Sequence, residues 1–430
     1  MTPSARISAA IEILADITER RRPAADGLKD WGLGHRFAGS KDRAAIASHV
    51  YDALRVRSSA SWIMGEETAR AVVLGSLRQL RGMDADAISA LCTGEAHAPA
   101  VLSEHEKTRL SHATLDDAPD HVRGDYPDWL AAHFAAAFGE HAVAEGRALA
   151  GRAPIDLRVN RLKGEREKAT KMLAHLSPEE TPLSPLGLRL NAGADGRGPS
   201  LSAEPAYVRG FVEVQDEGSQ LASLIAGAKP GLQVLDFCAG GGGKTLAMAA
   251  EMANKGQVYA YDSEGRRLMP IYPRLERADV RNVQVRAPKG NKDVLADIEA
   301  RCDIVLVDAP CTGTGTWRRN PDAKWRTRPG ALEQRMKEQD EVLENSAKYV
   351  KSGGVLAYIT CSLLRAEDED RIDAFLGNHA DFLPLDAAHI ARRANLPELA
   401  QFASPHGVGL RLSPRTSNTD GFYVALLLKQ

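Results

Sequence analysis

Asp236-Phe237-Cys238-Ala239-Gly240-Gly241-Gly242-Gly243-Lys244-Thr245 follows an apolar run from Val234 and leads into residues of helical spacing. A strand that ends on a carboxylate, turns on glycines and opens a helix is the first unit of an alternating α/β sheet. Further apolar runs follow at Val258 to Tyr261, Val283 to Val285, Ile304 to Val307, Val355 to Ile359 and Phe422 to Leu428, most separated by helical stretches of ten or more residues. This alternation predicts a parallel, doubly wound, Rossmann-like sheet covered by helices. Ligands in such sheets sit beyond the carboxyl ends of the strands, so the chemistry is expected just after each run.

The glycine loop has two readings. A phosphate-cradling G-x-x-x-x-G-K-[ST] loop needs glycine where Cys238 stands, and no clear Mg²⁺-binding partner follows, although Asp308 could mimic one. A nucleotide-cofactor loop needs glycines at which backbone approaches ligand, and a later acidic residue for ribose hydroxyls. Asp262 ends the second strand and supplies that residue, so the second reading prevails over a mere tight turn.

Upstream the pattern changes. Ile7, Ile11 and Leu14, then Ile46, Val50 and Leu54 after a candidate cap at Ser40, then Ala71, Leu74 and Leu77 recur at helical spacing, and Ser103-x-x-Glu106 reads as a capping box. A further helical stretch is expected from Trp129 to Leu149. Alternation at Ile155, Leu157 and Val159 then opens a small α+β unit. The expected division is a helical domain at 1–145, a small α+β subdomain at 146–212 and a cofactor-binding domain at 213–430.

The 430 residues carry 55 basic and 57 acidic side chains, which excludes a uniformly basic nucleic-acid binder and leaves only local patches. One lies between Arg152 and Lys171, where seven basic residues face three acidic ones; a solvated helix face and an RNA contact explain it equally well. Another is 318–328, where Arg318, Arg319, Lys324, Arg326 and Arg328 interleave with Trp317 and Trp325. Basic residues among indoles suit a single strand with splayed bases, the competing explanation being tryptophans that fill a core. No apolar run is long enough for a membrane span, and charges interrupt the N-terminal apolar pattern, so a cytoplasmic, monomeric protein is expected. Five cysteines without a C-x-x-C pair argue against disulfides and structural zinc, and no metal site is expected.

Two of those cysteines fall at strand ends, in Asp308-Ala309-Pro310-Cys311 and Thr360-Cys361-Ser362. With Val214-Gln215-Asp216-Glu217-Gly218-Ser219-Gln220, Gly242-Gly243-Lys244-Thr245, Asp262 before Arg267-Leu268, Arg318-Arg319-Asn320-Pro321-Asp322 before Lys324-Trp325, and Asp420-Gly421-Phe422, they form seven motifs in order. In these the chain resembles the NOL1/NOP2/Sun family of RNA cytosine-C5 methyltransferases, especially its bacterial ribosomal-RNA branch with a NusB-like helical domain. Tyr126-Pro127-Asp128-Trp129-Leu130 and Leu157-Arg158-Val159-Asn160 resemble the family's entry into its RNA-binding subdomain.

The resemblance implies S-adenosylmethionine as methyl donor, held by Cys238, Ala239, Gly240, Gly242, Gly243, Lys244, Asp262, Arg267, Asp308 and Pro310. It implies Cys361 as nucleophile and Cys311 as the residue that releases product, with Asp308 and Lys244 beside them. Arg158, Asn160, Arg318, Arg319, Lys324 and Trp325 are the implied RNA contacts, ribosomal RNA being favoured over tRNA. Cytosine C5 is too weak a nucleophile to take a methyl group unaided, so a thiolate adds at C6 and a base later removes the C5 proton. A helix starting near Ala366 is expected to favour the Cys361 anion through its N-terminal dipole, while Glu367, Asp368, Glu369 and Asp370 oppose it. The chain departs from the family at Gly241, Arg365 and Asp368, where proline, proline and asparagine are usual, and Tyr423 stands as a second aromatic near the C-terminus. After the third strand, Asn291 alone replaces an expected acid. The alternatives are a tRNA cytosine-C5 methyltransferase, a catalytically weak ribosome-assembly factor on the same scaffold and, last, an amino-group methyltransferase, which lacks its D-P-P-Y-like strand end.

Overall fold

The computed structural model describes residues 1–191, 198–290 and 292–430. Asn291 lies outside the described residues. The chain forms two compact units. The first comprises Met1–Arg152 together with Trp317–Pro329; the second holds Gly198–Thr316, Gly330–Gln430 and the stretch that begins at Ala153.

The first unit is helical. Helix Pro3–Arg20 is capped by the Thr2 hydroxyl and buries Ile7, Ala10, Leu14 and Ile17, while Ser40–Arg55 buries Ile46, Val50 and Leu54 at the expected spacing. Ser40 is not the cap of that helix, however. It is the first helical residue, and Gly39 precedes it without a side-chain bond. Helix Ala69–Arg81 crosses Arg57–Met64 so closely that a Cβ on Gly75 would lie 2.8 Å from the Ala60 carbonyl oxygen. The capping box at Ser103 and Glu106 is present in both directions, at 3.1 and 2.8 Å. The single helix expected from Trp129 to Leu149 is two, Ala131–Phe138 and Ala142–Ala150, broken where Gly139 takes φ 53°.

The second unit contains two sheets. Strands β1 (Ile155–Val159), β2 (Glu179–Glu180), β3 (Gly187–Leu190) and β4 (Val212–Val214) pair antiparallel in the order β2-β3-β1-β4. One face packs Leu157, Val159, Leu188, Leu190 and Val212. Intervening residues are also covered, and Arg189 grips Asp156 with two bonds of 2.7 and 2.8 Å.

The larger sheet contains β5 (Gln233–Asp236), β6 (Gln257–Tyr261), β7 (Val283–Arg286), β8 (Cys302–Asp308), β9 (Val350–Thr360), β10 (Phe382–Pro384), β11 (Leu410–Leu412) and β12 (Phe422–Lys429). Its path is β10-β12-β9-β8-β5-β6-β7, with β11 beside β12. Strands β5 to β9 are parallel, as the alternation predicts. The last apolar run differs: β12 is antiparallel to β9, β10 and β11, which permits the short connection from β11 where a parallel strand would need a crossover helix. The strand order reverses direction at β5, with β6 and β8 on its two sides, so the loops after these strands converge on one rim. No helix among the described residues is long and apolar enough to cross a membrane.

Candidate active site

The rim is built around the glycine loop. Asp236 closes β5 in full burial and accepts the Thr245 hydroxyl at 2.6 Å; burial pushes its carboxyl up to about 7. Gly240 takes φ 49° and Gly242 φ 81°, conformations open to glycine, and a Cβ on Gly242 would strike Ile271 at 2.4 Å. The Gly240 N–H donates to Asp262 Oδ2 at 3.0 Å, and the Glu264 N–H to Oδ1 at 3.0 Å. Arg267 pairs with the same carboxylate at 3.4 Å. The loop and the acid that ends β6 are therefore one hydrogen-bonded unit.

Beside it lies a cavity of about 660 Å³ whose lining includes Cys238, Tyr261, Arg267, Pro288, Asp293 and Pro310. Burial pushes the Cys238 thiol up, so it lines this space as a neutral wall. Asp293 brings a carboxylate to the cavity from the segment after β7. Its distance from the strand end hid it from a reading confined to the residues next to Arg286.

From β8, Asp308 accepts a 2.6 Å bond from Lys244 Nζ, whose chain also passes over the Phe422 ring at 5.4 Å. Three residues on, Cys311 Sγ stands 3.4 Å from Cys361 Sγ. Neither thiol is wholly buried, and neither is among the residues lining the cavity. The parallel register explains the meeting: Asp308 lies opposite Ile359, and the Ala309 N–H donates to the Ile359 carbonyl, so both chains leave the sheet at one level. The hydrogen bond with Cys361, followed by burial and the nearby charges of Cys361 and Glu367, holds the Cys311 thiol well above its ordinary range.

A third segment completes the rim. The Gly315 N–H donates to the Cys361 carbonyl at 2.9 Å, and the Gly421 N–H to the Gly315 carbonyl at 2.8 Å. A Cβ on Gly315 would lie 2.3 Å from the Gly421 carbonyl oxygen, so the approach admits no side chain. Asp216 caps helix Glu217–Ile225 through the Gly218 N–H and accepts the Asp420 N–H at 3.1 Å. These bonds give Asp216 and Gly421 structural work at the site.

Several sequence expectations require correction. No helix starts at Ala366; a 3₁₀ turn spans Arg365–Glu367 and the helix runs Glu369–Asn378, so no helical N-terminus adjoins Cys361. Glu367, Asp368 and Glu369 are buried rather than solvated first-turn charges. Arg158 is buried between Gln215 and the Gly243 carbonyl, and Asn160 between the carbonyls of Gly210 and Ala278. Both brace the fold and are closed to RNA.

The segment 317–329 belongs to the helical unit, and Trp317, Arg318 and Lys324 turn inward. Lys324 is 0% exposed; its ammonium donates to the Arg55 carbonyl at 3.0 Å and lies 4.9 Å from the Trp325 ring and 5.7 Å from that of Trp317. Burial lowers its pKa to about 7. Arg318 is buried, its carbonyl accepting from Arg55, and Trp325 Nε1 donates to the Leu54 carbonyl at 2.6 Å. Arg319 is half-buried, and Arg326 and Arg328 are exposed. The core-filling explanation of these tryptophans holds.

The family model described as 16S rRNA methyltransferase RsmB/F matches residues 224–428, and that of the RsmF/B-like ferredoxin-like domain matches 126–195. The probable ribosomal RNA small subunit methyltransferase B of Synechocystis is 32% identical over 71% of this chain and 67% of its own. The ribosomal RNA small subunit methyltransferase B of Shewanella oneidensis is 33% identical over 65% of this chain and 61% of its own. The match thus spans about two thirds of these relatives' length. The crystal structure of PH0851 shares the fold, with a TM-score of 0.72 at 24% identity over 100% of this chain and 99% of that one. With the glycine loop, Asp262 and the paired strand ends in place, the chain belongs to the RsmB/F family of S-adenosylmethionine-dependent ribosomal RNA methyltransferases.

Proposed function

We propose that the protein methylates C5 of a cytosine in ribosomal RNA through a covalent bond between Cys361 and the base. The observation that carries this reading is the 3.4 Å approach of Cys311 and Cys361 at the ends of adjacent parallel strands, with the Lys244–Asp308 pair on the same rim. A reaction at an exocyclic amine or a ribose hydroxyl needs no second thiol, whereas addition and elimination at a pyrimidine ring uses two groups with separate roles.

The chain's residues fit the methyl donor. Asp262 offers a buried carboxylate suited to vicinal ribose hydroxyls, and Tyr261 and Pro288 offer flat or apolar walls suited to an adenine. At Gly240 a Cβ would meet nothing closer than the Arg267 guanidinium at 3.7 Å, so the backbone leaves room for a ligand. When bound, S-adenosylmethionine supplies an electrophilic methyl group. Cys361, as thiolate, adds to C6 of the cytosine and turns C5 into a nucleophile. Asp308 accepts from the 4-amino group of the cytosine, and the Lys244 ammonium that fixes its carboxylate at 2.6 Å offsets the charge that addition creates. Cys311 takes the C5 proton and lets Cys361 leave.

The test is incubation of the recombinant protein with labelled donor and ribosomal RNA, followed by nucleoside analysis. The expected product is 5-methylcytosine, lost in Cys361→Ala and retained in Cys92→Ala. Label on another base, or in the sugar, overturns the reading. Absence of donor binding at millimolar concentration by calorimetry would leave an assembly factor on a methyltransferase scaffold.

A further inference from the structure

Glu367 carries no assigned role, yet its carboxylate is the most heavily bonded group beside the two thiols. It is 0% exposed. Oε1 accepts from the Thr312 N–H at 2.8 Å and from Gln339 Nε2 at 3.0 Å; Oε2 accepts from the Ser362 hydroxyl at 2.5 Å and from the Thr312 hydroxyl. Thr312 follows Cys311, and Ser362 follows Cys361. The Gln339 amide also donates to the Pro310 carbonyl at 2.9 Å, so Cys311 is held on both sides. The Tyr358 hydroxyl fixes the Glu367 carbonyl at 2.6 Å.

Burying an uncompensated carboxylate is costly, which is why such a group persists only when its lone pairs are used. Here they are spent on donors from the two cysteine loops and from the helix bearing Gln339. Thr314 Oγ1 meets the Ser362 hydroxyl at 3.1 Å and accepts the Leu363 N–H at 2.9 Å, and the Gly315 N–H reaches the Cys361 carbonyl, but none of these bonds involves Thr312, the residue next to Cys311. A single acidic side chain thus bridges the residues that directly follow the two thiols.

We propose that Glu367 is a positioning residue that holds Cys311 against Cys361, so that the adduct made by Cys361 is resolved by Cys311. The inference rests on the cytosine-C5 reading. In the resolving step the Cys361 sulfur is tied up in the C6–S bond and no longer keeps the proton on Cys311; with that proton passed to water, the Cys311 thiolate takes the C5 proton. The C5–H electron pair becomes the C5=C6 bond, and the C6–S pair leaves on Cys361 as thiolate. Displacement of Cys311 by even a fraction of an ångström weakens this second step, whereas addition of Cys361 to C6 does not use Cys311.

Glu367→Gln keeps the shape and replaces one acceptor oxygen with a donor. With full-length protein, S-adenosylmethionine and in vitro transcribed small-subunit ribosomal RNA, adduct formation should stay within about threefold of wild type while its resolution slows about 30-fold. A protein–RNA adduct stable to denaturing gel electrophoresis should accumulate. Thr312→Val, which removes one hydroxyl donor and keeps the backbone one, should show the same split at about 3- to 10-fold, and decides the matter if Glu367→Gln does not fold. Equal loss of formation and resolution would mark a merely structural role and overturn the proposal; so would wild-type rates in a folded variant. Wild-type protein challenged with 5-fluorocytosine RNA, which retains the adduct because fluorine cannot leave as a cation, separates the two failures. No wild-type adduct there sinks the cytosine-C5 reading itself, while a wild-type adduct with no split in the variants sinks only the role of Glu367.

Discussion

The loops carrying Cys311 and Cys361 and the segment 317–329 are near neighbours in sequence and equally rich in polar and reactive side chains, yet they behave in opposite ways. In the loops, polar groups from three strand ends turn toward one another and remain partly open to solvent. In the segment, Lys324 and its two tryptophans turn into the helical unit, where the ammonium meets a carbonyl and two rings. The difference is one of what encodes each. A residue just after an apolar run in an alternating sheet is fixed at the ligand-facing rim by topology. Basic residues among indoles satisfy the same cation–π geometry whether the cation faces a nucleic acid or lies in a core.

The contrast can be broken most directly by pairing two variants. Cys361→Ala should reduce methyl transfer by about 10³-fold or more. Lys324→Met should alter RNA affinity by less than about twofold in filter binding at fixed salt, because the ammonium is inaccessible. A folded Lys324→Met protein that no longer binds RNA would erase the distinction. Lys324→Ala leaves a hole and an unpaired carbonyl, so urea denaturation should show a loss of about 2–4 kcal/mol.

A pH series sharpens the contrast further. The folded Lys324 has its pKa lowered to about 7, against 10.5 when unfolded, so the unfolded state binds more protons between those values. Stability of the helical unit should rise with pH across that window, and Lys324→Met should flatten the rise. Asp236 has the opposite sign. Its carboxyl is raised from 3.8 to about 7 in the folded state, so its contribution is most favourable below pH 3.8 and declines as pH climbs to about 7. Asp236→Asn should therefore stabilise by about 1–3 kcal/mol at pH 8 and by little at pH 4, measured by denaturation at both. The smallest effect belongs to Trp325→Phe, which deletes the indole N–H bonded to Leu54 and should cost about 1 kcal/mol without loss of methyl transfer.

The parallel strands, the glycine loop and the meeting of the two cysteines were legible because each depends on local pattern plus strand order. What was not legible depended on partners distant in the chain. Glu367, Asp368 and Glu369 read as first-turn charges, since nothing local reveals that Thr312, Thr360 and Arg411 would enclose them. Burial, with the charge of Glu369 beside it, pushes the Asp368 carboxyl up. Arg158 and Asn160 look like surface basic and polar residues of a small sheet. Their burial follows from both faces of that sheet being covered, which the short alternation at 155–159 does not disclose. Ser40 had the composition of a cap, but the chain enters that helix one residue earlier, at Gly39.

The close approach of Gly421 to Gly315 bears on how the protein comes into being. Because the backbone of the last strand's approach is stitched to the Cys311 loop, which in turn holds the Cys361 carbonyl, the rim has no complete form until the segment around Gly421 has been made. Each thiol emerges from the ribosome long before the segment that locks their loops together. Until that segment is added, a nascent chain is thus without the closed rim, although it is held beside the very class of RNA on which the finished protein is proposed to act.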